Sequence, residues 1–206
     1  MTADDVRRFE SCIGTGGVAL FPADTVYGLA ADPESAPAVE RLYAIKGRPP
    51  VRPAAVMFFS LERALRALPE LGERTGAALE RLLPGPVTVV IPNPARRYPL
   101  ASGPAPERLG VRVPALAGPL APLRAVERPV LQSSANPSGG ADARRLEAVD
   151  PALRAAVDAE LDGGELPGVP STVVDLSAYE RRGDYAVLRE GALGLERLAQ
   201  VLGSRG

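Results

Sequence analysis

The chain has 206 residues, of which 46% are hydrophobic, and its formal net charge is -1. This is enough for one large domain or two small ones with a sizeable core, and the near-zero charge argues against a global basic field for nucleic acid. Histidine is absent and cysteine occurs once, which excludes a histidine general base, a disulfide framework and a thiolate metal cluster. The sequence shows no leader and no apolar run of transmembrane length, so we expect a soluble, cytoplasmic protein without a membrane partner.

Helices and strands are predicted to alternate along the chain. A capping box at Thr2 and Asp5 predicts a first helix that runs to about Ile13. Further helices are predicted over about 35–45, 61–68, 73–83 and 194–202. Apolar and β-branched runs predict strands over 18–21, 54–59, 86–92, 110–114, 129–134, 171–176 and 185–190.

This alternation predicts an α/β fold built on a layered sheet. Some neighbouring strands are joined by connections too short for a helical crossover, which predicts a mixed sheet. The segment 93–108 is rich in proline and is predicted to be irregular.

Lys46 is the only lysine in the chain, beside 23 arginines. Arg48 and Arg52 follow it closely, and Pro49, Pro50 and Pro53 prevent a helix from continuing. We therefore expect three cations on a stiff, non-helical segment, an arrangement that suits phosphate. The compact ammonium of Lys46, on its flexible stem, would bind a phosphate oxygen in a space that the planar guanidinium of arginine does not fit.

Four polar segments lie at the ends of predicted strands, over 22–28, 133–140, 170–175 and 188–193. In open α/β sheets ligands bind where strands end, and hydroxyls, an amide and glycines suit a nucleotide or another polar small molecule. Each segment taken alone is more typical of a simple turn than of a site, and it is the four together with the Lys/Arg cluster that favour a site.

These segments, in this order, resemble the YrdC-like family, whose members include threonylcarbamoyl-AMP synthases. Lys46-Gly47-Arg48-Pro49 is similar to the KxRP signature of that family. The other matching segments are PADTVYGLAAD (22–32), LPGPVTVV (83–90), GVRVP (110–114), SSANPSG (133–139), PSTVVD (170–175) and VLREGAL (187–193). The resemblance spans nearly the whole chain and implies one catalytic domain over 1–206.

The resemblance implies an open, twisted, mixed α/β sheet with helices on both faces and a large concave surface. It also implies an enzyme that condenses L-threonine, bicarbonate and ATP to threonylcarbamoyl-AMP and pyrophosphate, with Mg²⁺ on the triphosphate. A separate transferase complex would then move the threonylcarbamoyl group to tRNA. Such a transfer to the α-phosphate needs positioning and charge stabilisation more than a protein nucleophile.

By match to the family motifs, the expected catalytic residues are Lys46 and Arg48. The expected ATP-binding residues are Lys46, Arg48, Arg52, Asn136, Arg144 and Arg189. The expected threonine-binding residues are Thr25, Arg112, Ser134 and Ser171, with Arg112 on the threonine carboxylate. No protein ligand to a metal is expected.

Several of these residues have a simpler interpretation. Arg52 and Arg144 are equally typical of solvated surface arginines, and Arg112 alternates with valines as on a polar strand face. Met57 stands where the family often has histidine near the threonine side chain, which puts that contact and the amino-acid selectivity in question.

Two other functions fit the same residues. One is a non-catalytic RNA-binding module in tRNA or ribosome maturation, for which weak RNA binding would be expected. The other is a carbamoyl-transfer relative, although in such enzymes the domain is embedded in much longer chains.

Overall fold

The computed structural model describes residues 1–47, 49 and 52–203. Its α-helices are α1 (Ala3–Gly14), α2 (Ala36–Lys46), α3 (Leu61–Ala67), α4 (Glu73–Leu82), α5 (Pro99–Ser102), α6 (Pro151–Ala156), α7 (Tyr179–Arg182) and α8 (Leu195–Leu202). Short 3₁₀ helices span Gly118–Ala125 and Leu146–Ala148. The strands are β1 (Ala19–Pro22), β2 (Tyr27–Ala31), β3 (Ala55–Met57), β4 (Val87–Pro92), β5 (Arg108–Arg112), β6 (Val130–Ser134), β7 (Ala159–Glu160), β8 (Thr172–Asp175) and β9 (Ala186–Arg189).

These nine strands form one open sheet in the order β7-β1-β2-β6-β3-β5-β4-β8-β9. Three neighbouring pairs, β1 with β7, β3 with β5 and β4 with β8, are parallel, and the other five are antiparallel. The predicted α/β fold with a mixed sheet is confirmed.

The two faces of the sheet differ along its length. Strands β1 and β2 are buried at every position, so both faces are covered there. Strand β4 alternates, because Val87, Val89 and Ile91 are buried while Thr88 and Val90 face an open cavity. This alternation follows from the period of two in a strand and marks where the sheet presents a surface to a ligand.

Helix α1 is packed against the sheet through an aromatic cluster. Phe9 lies 5.2 Å from Phe21 and 5.8 Å from Phe59 between ring centroids, and all three rings are buried. The predicted capping box at the start of α1 is present, with Thr2 and Asp5 bonded reciprocally. Local sequence and core packing therefore agree on this helix.

The structure corrects the prediction for the lysine segment. Lys46 is the last residue of α2, and Gly47 ends the helix in the left-handed region with φ 58°. Lys46 therefore lies on a helix and not on a non-helical segment. Arg48 lies outside the described residues.

Two strands that the sequence analysis missed are β2 and β7. Only Tyr27 and Gly28 of the β2 segment YGLAA fall in the polar segment 22–28, and its other three residues are too few to predict a strand. The two residues of β7 are likewise too few to give a pattern. In the described part of the chain, the helices are all too short or too polar to cross a membrane.

Candidate active site

A cavity of about 360 Å³ opens on one face of the sheet. Its walls come from the neighbourhood of six strands, β3, β4, β5, β6, β8 and β9. The volume lies within the range of about 300–1,000 Å³ that is typical of small-molecule sites. The cavity is therefore the candidate site for a ligand.

Arg112, the last residue of β5, lines the cavity although only 3% of its side chain is exposed. Its Nη2 donates to Asp24 Oδ1 and to Thr25 Oγ1, each at 2.5 Å. Its Nε is buried and has no hydrogen-bond partner among the described residues. A buried donor without a partner is costly, so this guanidinium is suited to an acceptor that enters the cavity.

Asp24 and Thr25 lie in the four-residue loop 23–26 that joins β1 to β2. The side chain of Asp24 is 5% exposed, and its Oδ2 accepts from the Ala115 backbone N–H at 2.9 Å. One oxygen of the carboxylate thus binds the guanidinium of Arg112, and the other binds the backbone that follows β5. Sequence reasoning selected Thr25 from this segment and missed Asp24.

A second polar cluster joins the end of β6 to the end of α2. The Lys46 ammonium donates to the backbone oxygen of Ser134, to that of Asn136 at 2.8 Å and to Asn136 Oδ1 at 3.0 Å. Ser134 Oγ also donates to Asn136 Oδ1, at 2.6 Å. Asn136 Nδ2 donates to the Gly140 backbone oxygen. Ser134 is the member of this cluster that lines the cavity.

A third polar group lies where β8 begins. Ser171 Oγ is 2.9 Å from Thr88 Oγ1, and Arg189 donates to the Ser171 backbone oxygen at 2.7 and 3.1 Å. Arg189 is exposed as a residue, yet partial burial of its guanidinium lowers its pKa, and the positive charge of Arg112 lowers it further, while Asp142 opposes the shift. Arg112 and Arg189 therefore both bring positive charge to this cavity and favour an anionic ligand.

The other end of the cavity holds Arg108 and Ser102. Arg108 is four residues before Arg112 on β5, which corresponds to about 13 Å along the strand. Its guanidinium is ion-paired with Asp175, and its buried Nε has no partner among the described residues. Ser102 is buried and its hydroxyl likewise has no such partner.

The structure brings several predicted site residues together. Arg112, Ser134, Ser171 and Arg189 line the cavity. Three more predicted residues are bonded to this lining from outside it. Thr25 is hydrogen-bonded to Arg112, and Lys46 and Asn136 are both hydrogen-bonded to Ser134.

Two other predicted residues are not among those that line the cavity. Arg52 is exposed, and Arg144 is exposed and ion-paired with Glu165. Met57 is fully buried in the core and does not line the cavity.

Sequence reasoning missed other polar residues of the cavity lining: Thr88, Ser102, Arg108, Gln132 and Ser133. Thr88 did carry a signal, because it is the one polar residue within the strand VTVVIP. Within the described ranges 1–47, 49 and 52–203, no group of three or more Asp, Glu and Cys side chains is placed to hold a metal ion.

Comparison with known proteins identifies the family. Residues 11–191 match the Sua5_yciO_yrdC family model, which is described as "Telomere recombination". The chain belongs to the Sua5/YciO/YrdC family. The resemblance to the YrdC-like family is thereby confirmed.

Curated members of the Sua5/YciO/YrdC family are similar to the chain over most of its length. The threonylcarbamoyl-AMP synthase of Pyrococcus abyssi is 33% identical over 199 residues, which cover 96% of this chain and 57% of the relative. The threonylcarbamoyl-AMP synthase of Hahella chejuensis is 30% identical over 177 residues, which cover 85% of this chain and 95% of the relative. The chain thus spans about half the length of the first relative and nearly all of the second.

A solved member of the Sua5/YciO/YrdC family has the same fold. The crystal structure of P. abyssi Sua5 complexed with L-threonine matches with a TM-score of 0.84 and 31% identity, over 98% of this chain and 58% of that chain. The L-threonine in that structure is bound to P. abyssi Sua5.

Proposed function

We propose that the chain is a threonylcarbamoyl-AMP synthase, which condenses L-threonine, bicarbonate and ATP to threonylcarbamoyl-AMP and pyrophosphate. The observation that carries the proposal is the buried guanidinium of Arg112, whose Nε lacks a partner among the described residues. Relatives with this name that match the chain at 30–33% identity support the reaction.

In this proposal Arg112 binds the threonine carboxylate. A guanidinium and a carboxylate form charge-assisted hydrogen bonds, and burial strengthens them by excluding water. Thr25 accepts a hydrogen bond from Arg112, and Ser134 and Ser171 line the same cavity. In this proposal the three hydroxyls contact the rest of the amino acid or its carbamate.

The proposed chemistry proceeds in two steps. In the first, bicarbonate takes up a proton and loses water to give carbon dioxide, and the threonine amine adds to that carbon dioxide and loses a proton, which gives a carbamate. A carbamate oxygen then attacks the α-phosphorus of ATP, so a new O–P bond forms while the bond to the leaving pyrophosphate breaks. The protein's part is to align the carbamate and the phosphate and to offset negative charge.

We propose that Arg189 and Asn136 belong to the ATP site, together with Arg48, Arg52 and Arg144. Arg189 supports this assignment because it is a cation of the cavity lining that is exposed at the rim, where a triphosphate has room to extend. Mg²⁺ would enter as the complex with the ATP triphosphate.

Three further parts of the proposal concern the setting of the reaction. Residues 1–206 would act as one catalytic domain in the cytoplasm. The product would pass to a threonylcarbamoyl-transferase complex that modifies tRNA.

The decisive test is a pyrophosphate-release assay on the purified protein with Mg²⁺ and ATP. We expect release to require threonine and bicarbonate together and to be weak with serine. Mass spectrometry of the reaction should identify threonylcarbamoyl-AMP. Equal cleavage of ATP without an amino acid would exclude the proposed reaction.

The same preparation tests the two other functions. A carbamoyl-transfer relative would release pyrophosphate with carbamoyl phosphate in place of threonine and bicarbonate. An RNA-binding module would bind RNA in a salt-dependent way and would not turn over ATP.

A further inference from the structure

The side chain of Lys46 is buried and hydrogen-bonded to the end of β6 and to the loop that follows it. It is 3% exposed, and its ammonium donates to the backbone oxygens of Ser134 and Asn136 and to Asn136 Oδ1. The backbone oxygen of Lys46 accepts from the Ser138 N–H at 3.0 Å. The lysine therefore connects the end of α2 to the loop that follows β6.

This contact fixes the orientation of the Asn136 amide. An ammonium group carries only donors, so the Asn136 atom that faces it must be the oxygen. The Asn136 nitrogen then points to the Gly140 backbone oxygen, to which it donates. Lys46 and the Gly140 backbone oxygen together determine which end of the amide lies near Ser134.

The orientation of Asn136 in turn determines what Ser134 offers to a ligand. Ser134 Oγ is 2.6 Å from Asn136 Oδ1, and because that oxygen only accepts, Ser134 must donate its single proton to it. The lone pairs of Ser134 Oγ remain for the cavity that this residue lines. Ser134 can then accept a hydrogen bond from a ligand but cannot donate one.

We propose that Lys46 is a positioning residue that acts through Asn136 to make Ser134 a hydrogen-bond acceptor for a donor group of the amino-acid substrate. The inference rests on the proposed function and names the donor as the N–H of threonine or its carbamate, or the threonine hydroxyl. It replaces the sequence-based expectation that the ammonium contacts phosphate, since its three N–H groups are directed at three protein oxygens.

The same geometry explains why arginine does not stand at this position. The three acceptors converge on one nitrogen atom, which suits the three donors of an ammonium. A guanidinium spreads its donors over a planar fork and would meet these oxygens one at a time. A lysine is therefore required here in a chain that otherwise uses arginine.

A double-mutant cycle tests the proposal with Lys46→Met, Ser134→Ala and the double variant. The readout is the Kd for threonine, measured by calorimetry without turnover, and the KM for threonine and ATP in the pyrophosphate assay. We expect each single variant to raise the threonine values by about tenfold, the effect of losing one buried hydrogen bond. The double variant should be no worse than the weaker-binding single variant, because both act on one hydrogen bond.

Matched variants keep the result interpretable. Arg66→Met removes one charge at an exposed position and should change neither substrate constant. If thermal melts show that Lys46→Met is unfolded, Lys46→Gln takes its place. Because the glutamine amide keeps one donor near Asn136, the rise in the threonine Kd should then be smaller, and it should still vanish in combination with Ser134→Ala. Valine in place of threonine identifies the donor: if it is the hydroxyl, Ser134→Ala abolishes the preference for threonine over valine, and if it is the N–H, that preference persists.

Two outcomes would overturn the inference. One is a double variant whose loss equals the product of the single losses. The other is a Lys46 variant that raises the ATP KM and leaves the threonine Kd unchanged, which would identify a phosphate ligand. Failure of the proposed function is separate, because then the wild-type protein itself would not release pyrophosphate, while absence of threonine binding by the wild type would overturn both.

Discussion

At the scale of single residues, Arg112 and Asp24 form a buried ion pair at the end of the cavity where we propose that the amino acid binds. Both side chains are at most 5% exposed. Removal of one partner from a buried ion pair leaves an uncompensated charge, which typically costs about 3–5 kcal/mol of stability. A variant that lacks only Arg112 would leave the Asp24 carboxylate buried without its partner. The resulting loss of stability has to be separated from any effect on substrate binding.

We predict that Arg112→Ala, made together with Asp24→Asn, raises the threonine KM at least about tenfold. Loss of a buried contact between a guanidinium and a carboxylate costs on the order of 2–5 kcal/mol. The ATP KM should change much less, because the triphosphate is expected at Arg189. Steady-state kinetics with each substrate varied in turn measures both values.

Asp24→Asn alone is the reference for this comparison, because it removes the carboxylate and retains Arg112. Thermal melts of both variants establish that they are folded. An equal rise in the two KM values would mean that Arg112 has a structural role on β5.

The site residues differ in how well the sequence predicts them. Arg112, Ser134, Ser171 and Arg189 follow from motif position, and the structure places all four in the cavity lining. Asp24 lies within a quoted motif, but its role depends on a contact with a residue 88 positions away. No pattern local to the loop 23–26 indicates that partner.

At the scale of secondary-structure elements, α4 shows how a helix end depends on distant sequence. Its N-cap residue Gly72 has no side chain to cap the helix. Instead the Glu180 carboxylate accepts from the backbone N–H groups of Thr75 at 2.8 Å and Arg74 at 3.4 Å. A Cβ on Gly72 would lie 2.2 Å from the Glu180 carboxyl carbon, so glycine is required for this approach.

We predict that Glu180→Ala lowers the melting temperature by a few degrees at neutral pH, because it removes the cap of α4. The hydrogen bond from the Thr75 backbone is the largest cause that lowers the pKa of Glu180 below its ordinary 4.5, and the hydrogen bond from the Arg74 backbone makes a smaller contribution. The stabilisation is therefore present above pH 4.5 and is lost as the pH falls through the lowered pKa of the folded state.

Melting curves of the wild type and the variant from neutral pH to below 4.5 measure this effect. The two curves should converge at the acid end. Glu80→Ala removes an equal charge from α4 away from its N-terminus, and a similar loss in that control would contradict a capping role.

The elements that the sequence predicts well are those with local signals. The capping box of α1 lies within four residues, and β4 repeats its pattern over six. In contrast, β2 contains glycine and alanine and becomes a strand because β1 and β6 pair with it on both sides. Helices α6 and α7 are six and four residues long, too short for a periodic pattern to be visible.

At the scale of the whole molecule, β6 joins two parts of the sheet. It pairs with β2 on one side and with β3 on the other, both antiparallel. Leu131, in this strand, is fully buried and lies opposite Ala31 and Val56. This five-residue strand therefore connects the part of the sheet made of β7, β1 and β2 to the part made of β3, β5, β4, β8 and β9.

We predict that Leu131→Ala lowers the free energy of unfolding by about 2–5 kcal/mol, the range for removal of a buried leucine side chain. The same substitution at Leu195, which is 37% exposed on α8, should change it by no more than about 0.5 kcal/mol. Chemical denaturation followed by circular dichroism measures both. Similar losses for the two leucines would show that β6 has no special part in the stability of the sheet.

The central place of β6 has a consequence for synthesis on the ribosome. Strands β2 and β3 are translated long before Val130–Ser134, and they do not pair with each other. Until β6 emerges, any sheet formed by the nascent chain has free edges at β2 and β3, and such edges are templates for pairing with other chains. The growing polypeptide is therefore expected to be most prone to aggregation just before residue 130 leaves the exit tunnel. That tendency should fall when β6 covers the edges of β2 and β3, and fall again when β7 and β8 emerge to cover β1 and β4.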